Sequence, residues 1–206
     1  MDSVKKHLDT KYGIKLVTPP YTSSPDDVGS LINYPPGIKE NGAVFCHANT
    51  WAIIAECMLK RPEYAYEYYD KLLPFKVSRK IGMDLYRVEP YVYSQFIFGP
   101  DHTQFGRGSH SWLTGTSTWM LHAFTQWILG IRPEIDGLVI DPCIPETWNG
   151  FKALRRFRGA TYNIEVINKN HVSSGVKKVI VDGKDWKPRK PILFNDAKNH
   201  KILAYL

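Results

Sequence analysis

The sequence predicts an α+β chain of two domains: a helical array over residues 1–133, then an antiparallel β-sandwich or jelly roll over 134–206. Two observations carry this. Between Asn49 and Gly130, apolar residues recur at helical spacing in runs punctuated by Pro and Gly. After Pro133 the pattern changes to short alternating runs, with Asp182-Gly183 as a turn pair typical of hairpins. A chain of 206 residues has enough material for real cores.

Taken in order, Met1 to Leu8 read as a helix already under way, stopped near Gly13. That start suggests the tail of a longer protein. Residues 14–42 contain Pro19-Pro20, Ser23-Ser24-Pro25 and Pro35-Pro36-Gly37, which rule out long regular elements and mark a long excursion, of a kind that is usually functional or disordered. Asn49 or Thr50 then caps a helix through Trp51, Ile54, Ala55 and Met58, ending at Lys60-Arg61 before Pro62. Pro62 opens a second helix over 64–73, closed before Pro74. Pro90 opens a third over 91–98, closed by Gly99-Pro100. A fourth runs over 116–129 with Gly130 as its stop. Strands are expected at 137–140, 160–168, 176–181, 192–194 and 202–205.

Composition narrows the function. Hydrophobic content of 43% with 23% charged residues is globular, not disordered. The 13% of aromatic residues suits carbohydrate binding and suits a large helical core equally well. Net charge is +7, but the basic residues are scattered, dense only at Arg155-Arg156-Phe157-Arg158 and over 184–190. No nucleic-acid partner is expected, and a positive field around an anionic substrate accounts for the charge. Cys46, Cys57 and Cys143 are odd in number and lack zinc-like spacing. They read as free thiols of a reducing cytoplasm. Neither a signal peptide nor an apolar run of about 18 residues is present, so a cytoplasmic protein with no membrane partner is expected.

The most informative stretch is Ser111-Trp112-Leu113-Thr114-Gly115-Thr116-Ser117-Thr118-Trp119. A hydroxyl- and Gly-rich turn runs straight into a helical pattern. Such a start directs free backbone N–H groups and the positive end of the helix dipole at one spot, a natural seat for phosphate. The flanking tryptophans are residues that stack sugar rings. A second polar stretch places Lys39, Glu40, Asn41, His47 and Asn49 just before a helix. A histidine there is often structural, but its N–H groups or imidazolium can also hold an anion. Glu89 precedes Pro90 and Gln95, and reads either as a general acid or base or as a first-turn carboxylate stabilising a helix. Gly106-Arg107-Gly108 is a weak phosphate signal. Asp141-Pro142-Cys143-Ile144-Pro145 with Trp148 reads as a rigid junction. Asp101, His102 and His110 lack metal-ligand spacing, so no metal site is expected. No Gly-x-Ser-x-Gly elbow or Walker loop occurs.

Together these residues resemble the C-terminal portion of the inverting cellobiose and chitobiose phosphorylases, glycoside hydrolase family 94. The resemblance rests on Gly-Ile-Lys-Glu-Asn-Gly-x-x-Phe-Cys-His at 37–47, Glu-Pro-Tyr-Val-Tyr-x-Gln at 89–95 and Ser-Trp-Leu-Thr-Gly-Thr at 111–116. Leu-Gly-Ile-Arg-Pro at 129–133 and Leu-Val-Ile-Asp-Pro at 138–142 extend it. It implies the last helices of an (α/α)6 barrel over 1–133 and a jelly roll over 134–206. It implies that His47, Thr114 and the backbone of Gly115 bind inorganic phosphate, and that Lys39, Glu40 and Gln95 bind sugar. The reaction implied is reversible phosphorolysis of a β-linked disaccharide to an α-sugar 1-phosphate, with phosphate as co-substrate and no resident cofactor. The full-length protein is then expected to be a homodimer. The family's general-acid Asp lies upstream of the 37–42 segment and has no counterpart here, since Asp2 and Asp26 stand in unsuitable contexts. No catalytic residue is therefore assigned, and the isolated chain is expected to be inactive. Ala48 and Ser30 leave the acceptor sugar open. A noncatalytic carbohydrate-binding module, or an inverting glycoside hydrolase with Glu89 as base, is the alternative reading.

Overall fold

A computed structural model describes residues 1–23 and 29–206. Asp26 and the 24–25 part of the Ser-Ser-Pro turn lie outside the described residues. The chain is α+β. It forms two compact units, one of residues 1–55 and 67–121, the other of 56–66 and 122–206.

The first unit opens with helix α1 (Asp2–His7), then strands β1 (Asp9–Thr10) and β2 (Gly13–Ile14), which pair as a hairpin. An alternating charge network holds this start in place: Lys5 meets Asp9 and Glu67 at 2.8 Å each, and Lys71 meets Asp9 at 2.7 Å and Glu67 at 2.6 Å. Strand β3 (Val44–Phe45) runs without a break into α2 (Cys46–Met58). The helix therefore starts three residues ahead of the expected Asn49 cap. Asn49 instead lies in the helix, 2% exposed, with its amide bonded to both the N–H and the C=O of Ile14 and to the carbonyl of Phe45. It fastens β2 to the start of α2.

Helix α3 (Pro62–Leu72) stands where expected. Two further helices, α4 (Pro74–Ile81) and α5 (Met83–Tyr86), occupy sequence that carried no expectation. Pro74 closes α3 and also opens α4, because a missing N–H is harmless in a first turn.

The expected helix over 91–98 is a strand. Pro90 sits in a turn closed by the N–H of Val92 on the carbonyl of Glu89, and β4 (Ser94–Ile97) follows. Tertiary pairing decides this: β4 is the centre of a three-stranded antiparallel sheet, between β3 and β5 (Gly108–Ser111). Its aromatic residues fit a pleated, half-buried surface. Phe96 and Phe98 stack at 5.6 Å and bury against Ala43, Ile38 and Phe45. The expected helix over 116–129 is present as α6 (Thr116–His122), continued by a π-helical turn over Ala123–Ile128.

In the second unit, β6 (Ile131–Glu134) and β7 (Gly137–Ile140) form a ribbon. Five strands make the main sheet: β8 (Gly150–Phe157), β9 (Ala160–Ile167), β10 (Lys178–Val181), β11 (Lys184–Trp186) and β12 (Asn199–Tyr205), in the order β11-β10-β12-β9-β8. Its core face carries Tyr162, Ile164, Val166, Val179, Val181, Ile202 and Ala204, and burying each large one contributes about 1.5–3 kcal/mol. The sheet is antiparallel at three interfaces, but β9 and β12 are parallel, which corrects the all-antiparallel expectation. The expected strand over 192–194 shrinks to one bridge, Leu138 with Ile192. Among the described residues no helix is long and apolar enough to cross a membrane.

Candidate functional site

The small sheet of the first unit brings four of the predicted residues, His47, Gln95, Thr114 and Gly115, to one of its ends. Phe45 pairs with Phe96 and Ser94 with Ser111. The chain leaving β3 therefore reaches His47 beside the start of β4, where Gln95 sits. The chain leaving β5 delivers residues 112–116 to the same place.

His47 lies in the first turn of α2, half-buried, with its ring against Gly115. A Cβ on Gly115 would stand 3.3 Å from the ring Cε1 and 3.5 Å from Nδ1. The glycine is there for space. The Nε2 of His47 is closed off from solvent and has no hydrogen-bond partner, an expensive condition for a buried polar nitrogen. Trp51 and Trp119 flank the imidazole at 5.4 and 5.8 Å and meet each other edge to face at 6.4 Å.

Thr114 precedes this contact and caps α6. Its Oγ1 accepts from the N–H of Thr116 at 3.1 Å and lies 2.6 Å from the Thr116 hydroxyl. When Thr116 donates in that pair, the Thr114 proton remains available to an incoming anion. The N–H of Trp119 then closes the first turn of α6 on the carbonyl of Gly115 at 3.2 Å. Gln95 donates from Nε2 to the carbonyl of Leu113 at 3.1 Å, so in this state it braces the turn.

Lys39 and Glu40 stand elsewhere. They precede β3, in the turn where the N–H of Ala43 reaches the carbonyl of Lys39, at the sheet end where β4 runs out into Gly99. Lys39 holds its ammonium 5.0 Å above the Tyr34 ring, and Glu40 is exposed. Asn41 is fully buried. Its side chain bonds both backbone groups of Tyr21 and the carbonyl of Tyr34, fixing this turn.

Three other candidates change character. Glu89 accepts from the indole N–H of Trp112 at 3.1 Å. Its own backbone N–H, then Ser111 and Trp112, hold its carboxyl below the usual range, which removes it as a general acid near neutral pH. His102 accepts from the N–H of Gln104, His110 pairs with Ser109, and Asp101 meets Lys15. Burial pushes the Cys46 thiol beside His47 up to about 12, so it is not a nucleophile. Sequence reasoning missed Trp51 as a wall of the site. Its spacing of four from His47 on a helix was the available signal.

The residues brought together are thus a histidine packed on a Thr-Gly turn, with the Thr114 hydroxyl and the Gln95 amide beside it. Residues 1–130 match the family model described as the glycosyl hydrolase 94 superfamily, catalytic domain. The chain belongs to that superfamily. It is 45% identical over 204 residues to an N,N'-diacetylchitobiose phosphorylase of Vibrio proteolyticus, covering 99% of this chain and 25% of the relative. It is 46% identical over 183 residues to the protein of that name from Vibrio furnissii, covering 89% of this chain and 23% of the relative. It is 36% identical over 202 residues to a solabiose phosphorylase of Paenibacillus borealis, covering 98% and 26%. The chain thus spans about a quarter of the length of the curated relatives it matches.

Proposed function

We propose that this chain is the C-terminal part of an inverting disaccharide phosphorylase and supplies its phosphate seat. The observation that carries the reading is the imidazole of His47 packed on Gly115 with an unsatisfied Nε2. A phosphate oxygen would satisfy that nitrogen, accept from the Thr114 hydroxyl and take the backbone N–H of Gly115. Charge-assisted bonds of this kind are worth about 1.5–3 kcal/mol each. Held there, phosphate attacks the anomeric carbon from the face opposite the departing sugar. An acid contributed from outside these residues protonates the leaving oxygen. Gln95, beside this seat, binds hydroxyls of the sugar near the reaction centre, and Lys39 and Glu40, at the other end of the small sheet, are read as a sugar-binding pair on the resemblance alone. For Gln95 this requires exchanging the Leu113 carbonyl for a sugar hydroxyl, a swap of equivalent hydrogen bonds. The helical residues are read as the last part of an (α/α)6 barrel, and the main sheet as part of a jelly roll.

The substrate favoured is an N-acetylated, chitobiose-type disaccharide. Two relatives at 45 and 46% identity carry that name. The test is turnover of N,N'-diacetylchitobiose by a protein carrying this chain. Sugar 1-phosphate is expected only when inorganic phosphate is supplied. Release of free sugar alone, at the same rate without phosphate, would point to a hydrolase and overturn the reading. The isolated 206 residues are expected to show no turnover.

A further inference from the structure

We propose that Glu89 is a positioning residue that sets the phosphate-binding turn by holding the indole of Trp112. The inference rests on the reading of His47, Thr114 and Gly115 as a phosphate seat. Trp112 stands two residues before Thr114 and is 74% exposed, so burial does not fix it. Its one fixed polar contact is the bond from Nε1 to the Glu89 carboxylate at 3.1 Å. Ser111, the residue before it, is fixed by its sheet pairing with Ser94, so Glu89 holds the first residue beyond the strand.

The backbone here needs such a grip. His110 and Trp112 both occupy the left-handed region, at φ 54 and 64, where a non-glycine residue costs about 1–3 kcal/mol unless its surroundings over-determine it. Three constraints act on the segment. Ser111 pairs with Ser94 in the sheet, Glu89 holds Trp112, and Gln95 donates to the carbonyl of Leu113. The next residue is Thr114. Gln95 is assigned to sugar, so when it turns to substrate the Glu89 contact is the remaining side-chain brace on the strained turn. Glu89 is bonded to Trp112, not to the His47–Gly115 pair, and its part is to position rather than to react.

An acceptor oxygen is what the indole requires, so Glu89→Gln preserves the function and Glu89→Ala removes it. Inorganic phosphate is titrated into the 206-residue chain as wild type, Glu89→Gln, Glu89→Ala, Trp112→Phe and His47→Ala, while the Trp112 indole N–H is followed by NMR. Wild type and Glu89→Gln should bind phosphate within about twofold of each other, with the indole proton equally protected from exchange. Glu89→Ala should unprotect it, and both Glu89→Ala and Trp112→Phe should weaken phosphate about tenfold without lowering the melting temperature. Trp112→Phe keeps the ring at an exposed position, so the comparison survives if Glu89→Ala fails to fold. Unchanged affinity in Glu89→Ala and Trp112→Phe overturns the inference alone. Loss in Glu89→Gln equal to that in Glu89→Ala also overturns it, since charge and not positioning would then matter. Wild type that binds no phosphate, or binds it as well as His47→Ala does, overturns the phosphate seat and this inference with it.

Discussion

At position 115 one methyl group decides the site. Gly115→Ala would place a Cβ 3.3 Å from His47, closer than the imidazole tolerates without moving. Its φ is not in the left-handed region, so the backbone accepts alanine. The expected outcome is an unchanged melting temperature with phosphate affinity down about tenfold by calorimetry. Thr114→Ala should act differently, because its hydroxyl also accepts from the Thr116 N–H at the start of α6. Loss of that cap costs about 1 kcal/mol, to be read in the same melts alongside a similar loss of affinity. At this scale the sequence singled out His47, Thr114, Gly115 and Gln95, and they stand together at one end of the small sheet. The contact of Glu89 with Trp112 was not legible. Its partner lies 23 residues on, and only the pairing of β4 with β5 brings the two together.

Among the elements, the start of the central strand β12 of the main sheet carries the clearest pH dependence. His200 on β12 is 6% exposed, stacks on Phe194 at 3.8 Å, and is bonded at Nδ1 by Asp182 at 2.7 Å and at Nε2 by Asp196 at 3.0 Å. Burial opposes its charge, but the bonds to the two carboxylates outweigh this and raise its pKa. The bond to His200 lowers both carboxyls. The imidazolium contribution is complete below about pH 6.5 and fades as pH climbs through the raised folded value. The carboxylate contribution is complete above about pH 3.9 and fades as pH falls through the depressed values. Melting temperature should therefore fall as pH is raised from 6 to 9, and His200→Gln should flatten that slope. An unchanged slope in the variant would remove His200 as its source. The element errors share one cause. Pro90 signals a helix start, yet residues 92–96 alternate between buried and half-buried as a strand does, and the choice was made by β3 and β5, which are distant in sequence. The parallel pairing of β9 with β12 is likewise a long-range fact that no local pattern announces.

For the whole molecule, the α+β class and the change of character after the fourth expected helix were legible, because periodicity changes there from helical spacing to alternation. How the chain divides was less so. Residues 56–66 and 122–133 pack with the second unit, through contacts such as the buried Asp141, which binds Lys60 at 3.0 Å, Arg132 at 3.3 Å and Arg189 at 3.4 Å. Burial works against ionisation of Asp141, but Lys60 and Arg189 outweigh it and hold its carboxyl below the usual range. Gly130 sits under this junction at φ 65, where a Cβ would collide with the Asp141 carbonyl oxygen. Gly130→Ala should destabilise the chain by more than about 3 kcal/mol in denaturant titration.

The central claim is that the His47–Thr114–Gly115 cluster seats inorganic phosphate. The most direct measurement is an NMR titration of the 206-residue chain with phosphate, following the amides of residues 114–118 and the His47 imidazole. The account predicts saturable shifts confined to these groups, abolished by His47→Ala. Shifts that spread evenly over the basic surface, or that persist in His47→Ala, would contradict it.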